Sequence, residues 1–296
     1  MTISSVSNLQ NRFLDEEFHL TILPEFLRIY DARPIRDNQG GMQLNHSYAC
    51  FCVLKILTPS TIIESGVWKG VSTWLLQSVL PNAKLICLDP VLSNLQYQSP
   101  TAEYSRSDFF DSDWTNTDVH NSLCIFDDHQ SALHRCLHMK WWGFKYALFE
   151  DNYPPGHGDF YSIQQISSGT GHPKIQLSSN EYRGLPLHSR FLRWLEQFTL
   201  DNLFLRRFYS SQSIVRRPNL VDRIGFKLNI DICMELPCLL FSSDIYPCPE
   251  TVEPSASLYS SFDGIKSILD CYLAKNPAML TRAQLYYNNI TFVSLK

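Results

Sequence analysis

The chain lacks the features that would place it in several broad classes. It has no run of about 18 apolar residues, so no membrane-spanning helix is expected. Its first residues, MTISSVSNLQNRFLDEEF, contain no basic segment followed by an apolar one, which argues against a secretory signal. Neither sign of charge dominates: 25 Lys and Arg stand against 29 Asp and Glu, a formal net charge of −4. That balance removes any global electrostatic reason to expect nucleic acid or an anionic membrane as a partner. The nine cysteines form no CxxC pair, and their odd number argues against a disulfide framework and a structural zinc site. Several, such as Cys87 and Cys124, sit inside apolar runs where a thiol behaves as a small hydrophobe. The expectation is a reduced, cytoplasmic protein.

What is present is an ordinary globular composition, 44% hydrophobic and 18% charged over 296 residues. That length suits one large domain, or one domain with a substantial insertion, and can bury a sizeable core. Residues 1–44 read as a lead-in or cap, ending in a loop rich in proline, glycine and asparagine around Arg33 to Met42. A helix is expected over 45–57, stopped by Pro59. An alternation follows: strands at 61–64, 84–88, 103–105, 123–126 and 146–149, with helices at 71–79 and 130–142. Residues 168–255 loosen into an insertion, a substrate wall or lid, with a helical stretch at 189–208. Residues 256–296 return to the core with a helix over 259–273 and a closing strand over 290–295.

Short apolar strands alternating with helices indicate parallel βαβ units. The expected fold is α/β and Rossmann-like, a mostly parallel sheet with helices on both faces, comprising 45–167 and the final segment. Such sheets bind ligands at the carboxyl ends of their strands, so the residues immediately after each strand matter most.

After the first strand comes Glu64-Ser65-Gly66-Val67-Trp68-Lys69-Gly70-Val71-Ser72-Thr73. Glycines at a strand-to-helix turn let the backbone approach a ligand, and the free amides of the helix start can hold an anion. The third glycine of the dinucleotide fingerprint is absent, which weakens a nicotinamide or flavin reading. A tight turn with no ligand explains these residues equally well. The second strand ends at Asp89, where a carboxylate of a Rossmann-like half accepts hydrogen bonds from ribose hydroxyls. Asp127, Asp128 and His129 follow the fourth strand, and Glu150 and Asp151 the fifth. So many carboxylates in one cleft need compensation, and a hard divalent cation is the simplest remedy. Helix capping is the alternative, most of all for Asp128.

Taken in order, Glu64-x-Gly66-x-x-x-Gly70-x-Ser72, Asp89, Asp127-Asp128-His129 and Glu150-Asp151 resemble a class I S-adenosylmethionine-dependent methyltransferase. Within that superfamily the arrangement is most similar to the cephalosporin hydroxylase and rhamnosyl O-methyltransferase group, and less closely to macrocin-type sugar O-methyltransferases. The resemblance covers roughly residues 33–165. It implies S-adenosylmethionine as cofactor and Mg²⁺ or another divalent cation held by Asp127, Glu150 and Asp151, with Asp127 and Asp128 able to exchange roles. It places Glu64, Gly66, Gly70, Ser72, Thr73, Asp89 and Asp108 at the cofactor, with Asp89 on the ribose and Asp108 near the adenine.

On this reading the protein is a metal-assisted O-methyltransferase acting on a hydroxyl of a sugar or another polyhydroxylated small molecule. His129 is the expected general base, with Asp128 beside it in the catalytic set; a histidine that only orients a carboxylate is the alternative. Arg36, Asn38 and Met42 are candidates to cover the cofactor; Trp141, Trp142, Tyr153 and Tyr161 are candidates for an acceptor wall. Arg206-Arg207 and Arg216-Arg217 read as a solvated face. A nicotinamide-dependent oxidoreductase and a non-catalytic binding protein on the same fold are the alternatives. The partner expected is a small-molecule acceptor, with a homo-oligomer left open.

Overall fold

The computed structural model describes residues 7–155, 158–169, 220–240, 257–277 and 290–296. Their elements are built around a sheet of strands β1 (Thr61–Ser65), β2 (Lys84–Leu88), β3 (Glu103–Ser105), β4 (Ser122–Phe126), β5 (Tyr146–Phe149), β6 (Ile230–Glu235) and β7 (Thr291–Leu295). The strand order is β3-β2-β1-β4-β5-β7-β6. Strands β1 to β5 pair in parallel, and β7 runs antiparallel to both β5 and β6. The Rossmann-like α/β sheet expected from the sequence is therefore present. The order reverses between β1 and β4, the kind of switch point where such sheets open a ligand crevice.

Side chains on adjacent strand positions enter different layers, as the two-residue period of a strand requires. Ile62, Leu123, Ile125 and Leu148 join one core, which also takes in α1 (Ser7–Phe13), α2 (Glu16–Asp31), α3 (Leu44–Leu57) and α4 (Val71–Val79). Ile63, Cys124, Phe126, Ala147 and Phe149 join a second core on the other face. Helices α5 (Ala132–Trp142), α6 (Ile163–Ser168) and α7 (Leu220–Asn229) contribute to that second layer. The first layer is completed by α8 (Leu258–Ser261) and α9 (Asp263–Lys275). Both faces of the central strands are thus covered, and β1, β4 and β5 are buried along their whole length.

Three parts differ from the sequence expectation. The lead-in contains α2, a 16-residue helix whose buried Ile22, Leu23, Phe26, Ile29 and Tyr30 follow a helical period. Asp15 caps it, Glu16 and Glu17 complement its first turn, and Pro24 inside it removes one amide donor. The helix expected over 259–273 is two helices, broken at Phe262, whose backbone is extended (φ −137°, ψ 117°). Strand β6 was not foreseen; it lies in the stretch expected as an insertion and joins the sheet through β7. The helix expected over 189–208 and the arginines at 206, 207, 216 and 217 fall outside the described residues.

Register aligns the strand ends. Ser65 of β1 faces Leu88 of β2 and Phe126 of β4, while Phe126 faces Phe149 of β5. The residues that follow, Gly66, Asp89, Asp127 and Glu150, consequently sit side by side along one edge of the sheet.

Candidate active site

At the end of β1 the chain turns through Gly66, whose φ is +95° and whose amide donates to the Leu88 carbonyl at 2.9 Å. A Cβ at this position would stand 2.0 Å from the Asp127 carbonyl oxygen, so only glycine lets the turn lie against the end of β4. Gly70 precedes α4 with φ +90°, and a Cβ there would lie 2.3 Å from the Tyr97 carbonyl oxygen. The loop after β2 is drawn in as well, since the Gln96 and Tyr97 amides both donate to the Lys69 carbonyl.

Beneath the turn lies Glu64, buried in the sheet. Its carboxylate accepts hydrogen bonds from Thr73 Oγ1 at 2.6 Å and Cys87 Sγ at 3.2 Å, and from the Ser72 side chain. Among the described residues its Oε1 has no hydrogen-bond partner. Burial pushes its pKa up to about 7, against the pull of those three donors. A buried carboxylate with an unsatisfied oxygen beneath a glycine turn is a polar anchor awaiting a donor.

Asp89 is occupied by the turn itself. Its Oδ2 accepts from the Val67 and Trp68 amides at 2.9 and 3.0 Å, and its Oδ1 from the Val91 amide at 2.7 Å. The carboxylate therefore sits at the turn and shapes it. Asp108 lies further along the same edge and forms a two-pronged ion pair with Arg135 of α5, at 2.7 and 2.6 Å. Arg135 also reaches Asp128 through Nε at 2.9 Å. Asp128 accepts in addition from Ser65 Oγ at 2.6 Å and the Gln130 amide at 3.1 Å. Burial acts to raise the Asp108 pKa, but hydrogen bonds and charge from Arg135 hold it below the usual carboxylate value.

Beside this network is the acidic cluster. Asp127, His129 and Asp151 each offer a ligand atom, and these atoms lie within 4.8 Å of one another. Glu150 adjoins them and turns one oxygen to Nδ1 of His46, a buried residue in the first turn of α3. Burial drives the pKa values of Asp127 and Glu150 well above the carboxylate range, and the Asp151 charge adds to both shifts. His129 has a positive φ of +53°. Its Nδ1 meets the Asp159 carboxylate at 3.0 and 3.1 Å, and that hydrogen bond pushes its pKa up to about 9. Its ring stands edge-on to Phe160, which packs in the same manner on Tyr153, and the Tyr153 hydroxyl donates to Asp151 at 3.0 Å.

This donor set fits a divalent cation. Carboxylates whose ionisation is suppressed by burial and mutual repulsion become comfortable when a cation shares them. Carboxylate oxygens favour Mg²⁺ or Mn²⁺, and an imidazole within reach tilts the preference toward Mn²⁺.

The loop between α2 and α3 lies against the glycine turn. The Trp68 indole donates to the Gln39 carbonyl at 3.2 Å, and Lys69 Nζ to the Asp37 carbonyl at 2.9 Å. Asn38 is buried and donates to the Met42 carbonyl at 3.1 Å, holding the loop in shape, while Arg36 turns back to the Asp31 carbonyl at 2.8 Å. Of the aromatic candidates for an acceptor wall, only Tyr153 stands at the cluster. Trp141 and Trp142 end α5, which runs from the carboxyl edge back to the start of β5, and Tyr161 is buried in the second core. Sequence reasoning missed His46, Asp159 and Arg135. His46 sits in an apolar helix where nothing local distinguishes it from a core histidine.

No protein-family model matches the chain, and no curated protein matches it. Among solved structures it is similar to CmcI with SAH, at 19% identity and a TM-score of 0.32 over 38% of this chain and 62% of that one. A CmcI complex with Mg-SAM matches at 26% identity and a TM-score of 0.28, over 35% of this chain and 50% of that one. This chain thus spans less than two thirds of either CmcI structure. Human N-acetylserotonin methyltransferase in complex with SAM matches at 12% identity and a TM-score of 0.32, over 75% and 53% of the two chains. The plantazolicin methyltransferase BpumL, with a monoazolic desmethylPZN analog and SAH, matches at 10% identity and a TM-score of 0.35, over 98% of each chain. All four structures contain SAM or SAH.

Proposed function

We propose that this chain is a class I S-adenosylmethionine-dependent methyltransferase, assisted by a divalent cation, that methylates a hydroxyl of a sugar or other polyhydroxylated small molecule. One observation carries the reading: the glycine turn and the acidic cluster touch, because Gly66 packs directly on the Asp127 backbone. A donor held at the turn and an acceptor held at the cluster are therefore neighbours.

Transfer requires an acceptor oxygen, the methyl carbon and the sulfonium sulfur in line. The oxygen forms a bond to the methyl carbon as the carbon–sulfur bond breaks, the sulfur leaves as a neutral thioether, and the hydroxyl proton must go to a base. The turn from Gly66 to Gly70 presents backbone to the donor, and Glu64, with Ser72 and Thr73 on it, offers its open oxygen beneath. Asp89 shapes that turn and would in addition accept from the ribose of the donor. Asp127, Glu150 and Asp151, with His129 beside them, would hold the cation. Bound there, a divalent cation supplies Lewis-acid charge that binds acceptor hydroxyls and lowers the pKa of one. His129, hydrogen-bonded to Asp159, would take the proton in its neutral form, which a cation at the cluster favours by opposing the acidic groups that push its pKa up to about 9. Asp128 acts through position, keeping the end of β4 tied to Ser65 and Arg135, and Asp108 extends that brace through Arg135 and would lie near the adenine.

Thermal unfolding with S-adenosylmethionine, S-adenosylhomocysteine, NAD⁺ or NADP⁺, each with and without Mn²⁺, tests the proposal. A ligand at a hundred times its dissociation constant stabilises the fold by about 2.7 kcal/mol, a readable shift. The expected result is stabilisation by the two adenosyl-sulfur compounds alone, followed by methyl transfer in a sugar screen. Stabilisation by a nicotinamide nucleotide, or by none of the four, overturns it.

A further inference from the structure

Inside the cluster Glu150 hydrogen-bonds Asp127 and Asp151, contacts that a cation shared by the three would replace. The structure holds Glu150 from the opposite side. Helix α3 begins at the carboxyl edge, and its second and third residues both reach across to other parts of the chain. Asn45 pairs with both the amide and the carbonyl of Leu240, at 2.9 and 3.0 Å, which fixes the rotation of that first turn. His46, the next residue, is buried and places Nδ1 on Glu150 Oε1 across a sequence separation of 104 residues. One oxygen of Glu150 is thereby engaged by an imidazole, which leaves the other toward Asp127 and Asp151.

We infer that His46 is a positioning residue for the cation site: from α3 it fixes the rotamer of Glu150 and so sets the spacing of the carboxylates that would share the cation. The inference rests on the proposed function, because it needs a cation at the cluster. Its physical basis is general. Groups that hydrogen-bond a ligating carboxylate from outside orient it, and their loss typically costs about 10- to 100-fold in metal affinity. His46 reaches the cluster through Glu150. Its effect is therefore on cation affinity and not on binding of S-adenosylmethionine.

The test is Mn²⁺ binding to the full chain, followed by the loss of the free-ion electron paramagnetic resonance signal, without any turnover. It uses the parent, His46→Leu and His46→Gln, with the S-adenosylhomocysteine affinity and the melting temperature of each measured in parallel. Leucine fills the space and removes the hydrogen bond, whereas glutamine keeps a donor. Mn²⁺ affinity is expected to fall at least 10-fold in His46→Leu and to recover in large part in His46→Gln, with S-adenosylhomocysteine affinity unchanged in both. Parent-like Mn²⁺ affinity in a folded His46→Leu protein overturns the inference and leaves the cation site standing. If His46→Leu does not fold, His46→Asn, too short to reach Glu150, takes its place: affinity at least 10-fold below that of His46→Gln supports the inference, and parent-like affinity in His46→Asn overturns it. Absence of Mn²⁺ binding by the parent overturns the metal reading itself, and the inference with it.

Discussion

Replacing Gly66 with alanine probes the contact that joins the two halves of the site. Two costs combine there. The first is conformational: a φ of +95° is available to glycine but costs an L-residue about 1–2 kcal/mol. The second is steric, because the new Cβ would stand 2.0 Å from the Asp127 carbonyl oxygen and 2.4 Å from its carbon. Both are backbone atoms directly after β4, so the ends of β1 and β4 must separate, at about 1–3 kcal/mol by comparison with overpacked cores. The expected loss is about 3 kcal/mol. Gly40→Ala is the control, since φ is +78° there but a Cβ would meet nothing within 4 Å, leaving conformational strain alone. At about 2–4 °C per kcal/mol for a large domain, Gly66→Ala should melt about 6–12 °C below the parent and Gly40→Ala about 2–8 °C below. Differential scanning calorimetry reads both. Because Asp127 moves, Mn²⁺ affinity should also fall in Gly66→Ala and hold in Gly40→Ala. If the two variants melt together, the close approach of the turn to β4 is not what glycine serves here.

Two further perturbations address the buried charges. The pKa of Glu64 is raised from 4.5 to about 7, so the folded protein keeps its proton over a range where the unfolded chain has lost it. Stability from this group is fully present below about pH 4.5 and is lost as pH rises through about 7, with an upper bound of about 3 kcal/mol. Urea unfolding across that range should show a shallower pH slope in Glu64→Gln than in the parent. Asp127 and Glu150, raised in the same direction, give the slope that remains, and an unchanged slope would contradict the assignment to Glu64. Arg135→Met should destabilise the fold by about 2–3 kcal/mol, because it strips the counter-charge from Asp128, which is mostly buried, while Asp108 retains contact with solvent. The double variant Arg135→Met with Asp128→Asn should recover part of that loss in the same urea titration; no recovery would remove the pairing as its cause.

The limits of β2, β5 and α4 are legible residue for residue, because short apolar runs between turn residues leave few alternatives. Helix α2 is legible in its spacing of Ile22, Phe26, Ile29 and Tyr30, while Pro24 within it and the proline- and glycine-rich loop that follows argue locally against a long helix. Strand β6 was not, since its alternation of buried Ile230 with exposed Asp231, Cys233 and Glu235 describes an edge strand that any half-polar segment could imitate.

The candidate site divides along the same line. Parallel strands end in register, so the residues after β1, β2, β4 and β5 had to share one edge, and the order of glycines and carboxylates along the chain was enough to place them there. Which groups then pair was decided by folding alone. His46 with Glu150, Asp159 with His129, and Arg135 with Asp108 join residues 104, 30 and 27 positions apart. Contacts across such separations depend on how helices pack onto the sheet, and no local pattern carries that information. The sequence by itself therefore determined the sheet, its edge and the chemical types gathered along it. Only the tertiary structure decided that Asp89 faces the turn, that Asp128 braces β4, and that Glu150 is held by a histidine from the opposite helix.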